Sequence, residues 1–224
     1  MRESSIVKQR TTWHSEVVPE QSWKTLGDFW EAPFPNHLYL AGGTGLALTL
    51  GHRRSNDFDF FSKELFDENI LIQELRGHLK NFTVKSKAVH TLHIEVDRVK
   101  VTFLGYNYPL LFPTLDYVGQ KRTLFEVADL RDIACMKIDA IASRGSRRDF
   151  VDLYAVTRKY PMPDLIRLFD KKYSGVSFNR VHVLKSLTYF SDAESEPMPE
   201  MLINLSWEEV KDFFLGEVRK LLKA

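Results

Sequence analysis

The chain of 224 residues is 44% hydrophobic, 27% charged and 12% aromatic, a globular composition that excludes a disordered chain and a disulfide- or metal-stapled miniature. Lys plus Arg number 31 against 30 Asp plus Glu, which excludes a protein that coats nucleic acid through bulk charge, so any such contact must be local. The single Cys135, flanked by Ile133, Ala134 and Met136, cannot form a disulfide within the chain and reads as a buried thiol in a reducing compartment, the cytoplasm. The N-terminal residues lack the apolar run of a signal peptide, and no stretch reaches the roughly 18 apolar residues of a membrane span, so no membrane association is expected.

Residues 1–18 are polar with scattered aromatics and read as an arm. Pro19 and Glu20 open an amphipathic helix through Trp23, Leu26, Phe29 and Trp30, ended by Pro33. LYLA is then a strand, Gly-Gly-Thr a turn into the helix LALTL with Gly51 behind it, and Asp57 to Phe61 an alternating strand. Residues 65–80 carry Leu65, Ile70, Leu71, Leu75 and Leu79 at helical spacing, whereas FTVKSKAV and TLHIEV alternate in steps of two. Asp97-Arg98 sits between HIEV and VKVTFL as a hairpin turn.

Beyond Pro109 and Pro113, with a short strand near Phe125 to Val127, helical patterns dominate. One helix starts at Asp129 and ends at Gly145; another starts at Ser146 and runs through Phe150, Leu153 and Tyr154 to about Lys159 before Pro161. Two or three more follow. The last begins at Ser206 with Glu209 in capping-box position and carries Val210, Phe213, Phe214, Val218, Leu221 and Leu222 on one stripe. SDAESEPMPE at 191–200 reads as a surface loop. The expected class is α/β (α+β): a small mixed sheet with flanking helices over residues 1–110, followed by a mainly helical region over 111–224.

The densest chemistry lies in LYLAGGTGLALTLGHRRSNDFDFFS. Residues two apart on a strand face the same way, so Asp57 and Asp59 point off one side while Phe58 and Phe60 point into the core. Two adjacent carboxylates repel unless a cation lies between them, and Mg²⁺ prefers carboxylate and phosphate oxygens. The glycines upstream let a phosphate approach backbone N–H groups at a helix start. Each half alone has an ordinary explanation, a tight turn or a solvated strand face. The order of strand, Gly-Gly, helix and Asp-x-Asp strand is what points to phosphate and metal chemistry together.

Through Gly42, Gly43, Asp57 and Asp59 the chain resembles the nucleotidyltransferase superfamily that includes DNA polymerase beta and the aminoglycoside nucleotidyltransferases. AGGTGLALTLGHRRSNDFDFFS together with MKIDAIASRGSRRDFVDLY looks more closely like the AbiEii/AbiGii toxin family, the nucleotidyltransferase toxins of type IV abortive-infection toxin–antitoxin systems. This resemblance covers residues 36–158. It implies a nucleotidyltransferase fold in which Gly42, Gly43 and Thr44 place a nucleoside triphosphate, Asp57 and Asp59 hold Mg²⁺, and Lys137 and Asp149 are functionally important. It implies transfer of a nucleoside monophosphate to an acceptor hydroxyl, RNA such as a tRNA 3′ end, opposed by an antitoxin protein.

The residues add independent support. Lys137 has Ala134, Ile138 and Ile141 at helical spacing, so its ammonium must find a partner or a cleft. Arg144, Arg147 and Arg148 cluster beside Asp149 and Asp152, where they either bind phosphate, as expected of Arg148, or pair with those acids. His52, Arg53 and Arg54 lie between the helix and the acidic strand and are read as contacts of nucleotide or acceptor, Arg54 as a nucleotide contact, although a basic loop after a helix end is ordinary.

One departure stands out. Polymerase-beta-like enzymes carry a third carboxylate on a neighbouring strand, and the matching VKVTFL presents Lys100 and Thr102 instead, with Glu95 across the hairpin as the nearest acid on that face. Thr102 leaves a two-acid site that aligns Mg²⁺ and nucleotide without the usual base, or a site that binds nucleotides and reacts slowly; beside RNA transfer stand a binding module acting through a protein partner without useful turnover, and transfer to a small molecule such as an aminoglycoside. The histidines lack a short metal-ligand spacing, Cys135 reads as core rather than nucleophile, and Tyr106, Tyr108, Phe112 and Tyr117 are assigned to packing between sheet and helices.

Overall fold

A computed structural model describes residues 12–30, 38–79, 81–118 and 123–223. Its elements are α1 (Glu20–Trp30), β1 (Leu38–Leu40), α2 (Gly42–Leu50), β2 (Phe58–Ser62), α3 (Glu68–His78), β3 (Phe82–Ala88), β4 (Thr91–Val96), β5 (Val99–Gly105), β6 (Leu115–Val118), β7 (Thr123–Val127), α4 (Leu130–Ser143), α5 (Arg147–Thr157), α6 (Met162–Lys172), α7 (Arg180–Ser186), α8 (Ser191–Glu194) and α9 (Trp207–Leu221). The strands form one mixed sheet in the order β3-β4-β5-β2-β1-β7-β6, with β2 parallel to β5, β1 parallel to β7 and the other pairs antiparallel. The α/β class with flanking helices and a helical C-terminal region is as the sequence implied. The expected stop at Pro33 lies outside the described residues.

The sheet's alternation builds two cores. Phe58, Phe60, Leu92, Ile94, Val99, Val101 and Phe103 are buried with Leu71, Ile72, Leu75 and Leu79 of the α3 segment. Tyr39 points to the opposite side, into a second core with Ile133, Ile138, Phe150, Leu165, Phe169, Val210 and Phe214 of the C-terminal helices. Helix α2 lies between them, giving Leu46 to the second core and Ala47 and Leu48 to the first. Asp59, two residues before Phe61 on β2, therefore faces the side that the C-terminal helices cover.

Local chemistry accounts for the element ends. The Asp67 carboxylate accepts the Asn69 and Ile70 amides at the start of α3, Asp129 accepts the Arg131 amide at α4, and Ser206 and Glu209 complete a capping box on α9. Asp97 (φ +46°) and Arg98 (φ +69°) form the two-residue left-handed turn that joins β4 to β5.

Several expectations are corrected. The glycines are not a turn ahead of α2: Gly42 and Gly43 are its first residues. Leu65 and Ile70 are exposed, because α3 starts only at Glu68 and its buried stripe runs through Leu71, Ile72 and Leu75. Leu222 is 65% exposed, lying one residue past the end of α9. Four helices rather than two or three follow α5, since α7 and the one-turn α8, inside the presumed 191–200 loop, are too short to show a period. The strand at Phe125 belongs to the first-half sheet, where β7 pairs with β1, and β6 beside it has no counterpart in the sequence reading.

Candidate active site

The corner between β1 and α2 is shaped by what stands against it. Gly42 has φ +61°, and a Cβ there would lie 2.9 Å from Asp59 Oδ2; a Cβ on Gly43 would lie 2.2 Å from Arg53 Nη2 and 3.3 Å from Asp152 Oδ2. Only glycine lets both side chains come this close to the backbone. Ala41, the residue before α2, offers no side-chain cap, so the first-turn amides lack both an intrahelical acceptor and a cap. An anion is the natural complement to that helix end.

Thr44 is buried, and its hydroxyl donates to the Asp57 carbonyl while accepting from Ser55 Oγ at 2.7 Å. It thereby fixes the 51–57 loop, which carries Asp57, onto α2. Asp57 sits immediately before β2 and Asp59 within it, both half-buried. The Asp57 carboxylate makes no hydrogen bond or ion pair among the described residues, and Asp59 has Thr102 as its neighbour across the β2–β5 pair. Burial, reinforced by the Asp57 charge, pushes the Asp59 carboxyl above the usual carboxylate range against the opposing pull of Thr102 and Lys137. β2 and β5 pair with Asp59 opposite Thr102, the arrangement expected from VKVTFL. Glu95 pairs opposite Lys100 and is held by Lys85 Nζ at 3.1 Å.

Behind the corner lies a buried ionic cluster. Lys137 of α4 is 6% exposed, with Nζ 2.8 Å from Asp149 Oδ1 and 2.7 Å from Asp152 Oδ2. Burial alone would lower its pKa, but Asp152 and Asp149 outweigh that and hold it above the usual lysine range. Asp149 also accepts Arg144 Nε at 2.9 Å and Ser146 Oγ at 2.7 Å. Asp152 accepts Arg53 Nε at 2.7 Å, Arg53 Nη2 at 2.9 Å and His52 Nε2 at 2.8 Å. Burial opposes ionisation of both acids, yet Lys137 with Arg144 for Asp149, and Lys137 with Arg53 for Asp152, keeps them well below the usual range. Arg53, Lys137 and Arg144 set against Asp149 and Asp152 leave a surplus of positive charge beside Asp57 and Asp59.

The fold thus gathers Gly42, Gly43, Thr44, Asp57, Asp59, Lys137 and Asp149 around one corner. Arg54 points elsewhere: its Nε meets Glu200 Oε1 at 2.6 Å and its Nη1 the Glu16 carbonyl at 3.0 Å. Arg148, exposed on the first turn of α5, is engaged by no hydrogen bond or ion pair among the described residues. Sequence reasoning placed His52 and Arg53 near the site as contacts of nucleotide or acceptor and missed their pairing with Asp152; both are pinned, by a bridge of Arg53 to Met201 and by the Leu202 amide on the His52 carbonyl. Their only local signal is the basic run His52-Arg53-Arg54, because Asp152 lies about a hundred residues away.

The other candidates have structural surroundings. Burial pushes the Cys135 thiol up to about 12. Tyr106 and Tyr108 pack with Tyr173, Arg131 stacks on Phe112, and Tyr117 stacks on Trp23 and Phe125. A cavity of about 520 Å³ lined by Tyr39, Lys63, Phe112 and Glu126 opens at the far end of β2 from Asp57. Among the described residues no helix is long and apolar enough to cross a membrane.

A sequence model described as "Nucleotidyl transferase AbiEii toxin, Type IV TA system" matches residues 24–221. A relative from Aquifex aeolicus (strain VF5), "Uncharacterized protein aq_aa25", is 38% identical over 192 residues, 84% of this chain and 89% of that protein. Among solved structures, the nucleotidyltransferase toxin MenT4 from Mycobacterium tuberculosis H37Rv superposes with a TM-score of 0.57 at 16% identity, over 88% of this chain and 82% of that one. At that identity the likeness is one of fold.

Proposed function

Since the chain belongs to the AbiEii nucleotidyl transferase toxin family of type IV toxin–antitoxin systems and is a nucleotidyltransferase, we propose that it moves a nucleoside monophosphate from a nucleoside triphosphate to an acceptor hydroxyl on RNA, tRNA foremost, as a toxin held in check by an antitoxin. The observation that carries this reading is the uncapped start of α2 beside Asp57 and Asp59.

The first-turn amides of Gly42, Gly43 and Thr44 receive the triphosphate, and the side-chain-free edge of both glycines lets its oxygens reach them. The acid pair fits a hard divalent cation: Asp57 has an unengaged carboxylate, and burial, with the neighbouring Asp57 charge, holds Asp59 above its ordinary pKa. Among the described residues no group of three or more His, Cys, Asp or Glu could hold a metal ion, so these two acids and the nucleotide's phosphates would share it. Mg²⁺, when bound, supplies charge neutralisation and alignment of the acceptor on the α-phosphorus. Lys137, Arg53 and Arg144 add surplus positive potential rather than a free ammonium, because Lys137 is held by two carboxylates. Asp149 keeps Lys137 and Arg144 in place, and exposed Arg148 on the adjoining turn is available to an incoming phosphate or to RNA.

The test is incubation with Mg²⁺, total tRNA and each α-labelled nucleoside triphosphate in turn, beside the Asp57→Asn/Asp59→Asn double variant. Label in RNA from wild type and none from the folded double variant is the expected result; retained transfer by the variant removes the metal assignment. Thr102 opposite Asp59 favours a second reading, a nucleotide-fold binding module. Calorimetry separates the two, since the enzyme binds a triphosphate with Mg²⁺ dependence and a partner-binding module has no need to.

A further inference from the structure

Three neighbouring strands place a row of side chains on one face: Asp59 on β2 opposite Thr102 on β5, and Thr102 opposite His93 on β4. Thr102 stands beside Asp59 across the β2–β5 pair, and His93 Nδ1 lies 3.2 Å from Thr102 Oγ1. All three residues are half-buried on the face that bears the acid pair.

In the tautomer that carries its hydrogen on Nδ1, the imidazole donates to Thr102 Oγ1 and leaves Nε2 as a bare lone pair. No group among the described residues engages that nitrogen. Resting on the transfer reading above, we infer that His93 is the catalytic base for the acceptor hydroxyl, in the place left by the missing third carboxylate.

Direction of attack supports this assignment. α2, which receives the triphosphate, follows β1, on one side of β2 in the sheet; β5 and β4 lie on the other. In-line displacement puts the attacking oxygen opposite the leaving pyrophosphate, hence on the β5–β4 side, over Thr102 and His93. The acceptor O–H bond breaks with its proton passing to Nε2, the oxygen bonds to the α-phosphorus, and the α–β bridging P–O bond breaks with its electron pair leaving on pyrophosphate. The other ionisable groups of that face suit the task less well: Glu95 is paired with Lys85, and Lys100 is a cation.

The test uses the full chain with Mg²⁺, total tRNA and labelled nucleotide. His93→Gln keeps a side-chain N–H for Thr102 but cannot take a proton, and His93→Ala opens room for added imidazole. The expected result is a loss of about 10²- to 10⁴-fold in kcat for both, with the nucleotide's KM and its Mg²⁺-dependent calorimetric Kd within about threefold of wild type. Imidazole should restore part of the rate to the Ala variant and none to the Gln variant. Wild-type rates in either variant overturn the inference, as does a loss that tracks weakened nucleotide binding without imidazole rescue, which would make the row structural. Those outcomes leave the transfer reading standing; absence of transfer by the wild-type protein overturns the transfer reading and this inference together.

Discussion

Asp152 is fully buried, and its charge is tolerated only because Arg53, His52 and Lys137 surround it. Removing one partner from such a group leaves uncompensated charge in a poor solvent, so Asp152→Asn is expected to destabilise the fold by about 3–5 kcal/mol in urea unfolding. The sign of the pH dependence follows from the direction of the shifts. Asp149 and Asp152 are held below their ordinary range, so their contribution is fully present above the unfolded carboxylate value, about pH 4, and is lost as pH falls from there towards the folded values. Urea midpoints should therefore fall steeply below about pH 4, with a shallower fall in Asp152→Asn. Asp59 has the opposite sign: its raised pKa makes its ionised form a liability to the folded state, relieved as pH falls. Asp59→Asn should consequently raise the melting temperature in chelator at pH 7 while abolishing transfer, the trade expected where a site is kept charged for function.

At the scale of elements, α2 and α9 differ in a way that separates function from stability. α9 has a complete capping box at Ser206 and Glu209, so Ser206→Ala should cost about 1 kcal/mol in thermal unfolding and leave transfer unchanged. α2 begins with two glycines and no side-chain cap, a poor start by propensity that the close approach of Asp59 and Arg53 requires and that an anion bound there would offset. The β4–β5 turn places Asp97 and Arg98 in the left-handed region, where a side chain is strained. Arg98→Gly should stabilise the hairpin by up to about 1 kcal/mol in the same assay. The capping box, Asp67, Asp129 and the Asp97-Arg98 turn are local devices, set by residues within four positions of one another. Most element ends were legible in the sequence for that reason, whereas α7, α8 and β6 fall below the length at which a period shows.

In the whole molecule the site belongs to neither half alone. Gly42, Gly43, Asp57 and Asp59 come from the sheet half, Lys137, Asp149 and Asp152 from α4 and α5, and the Arg53–Asp152 pair joins them. The pair rests on the second core, where Phe150 is fully buried and packs edge-on against Trp207 and Phe214. The Asp57–Asp59 pair, the Gly-Gly corner and the absence of a carboxylate at Thr102 could be read from the sequence, because strand alternation and helix starts are short-range consequences of sterics and residue type. The family, too, was carried by motifs within two short segments. That Lys137 spends its charge on two aspartates, that Arg53 rather than Arg54 faces the corner, and that His93 lines up behind Thr102 were decided only by the tertiary structure. The two arginines are adjacent and chemically identical, and what separates them is the 200–202 segment, which pairs with the 52–54 loop from about 150 residues away. Contacts of that kind arise from closing the chain upon itself, and no local periodicity encodes them.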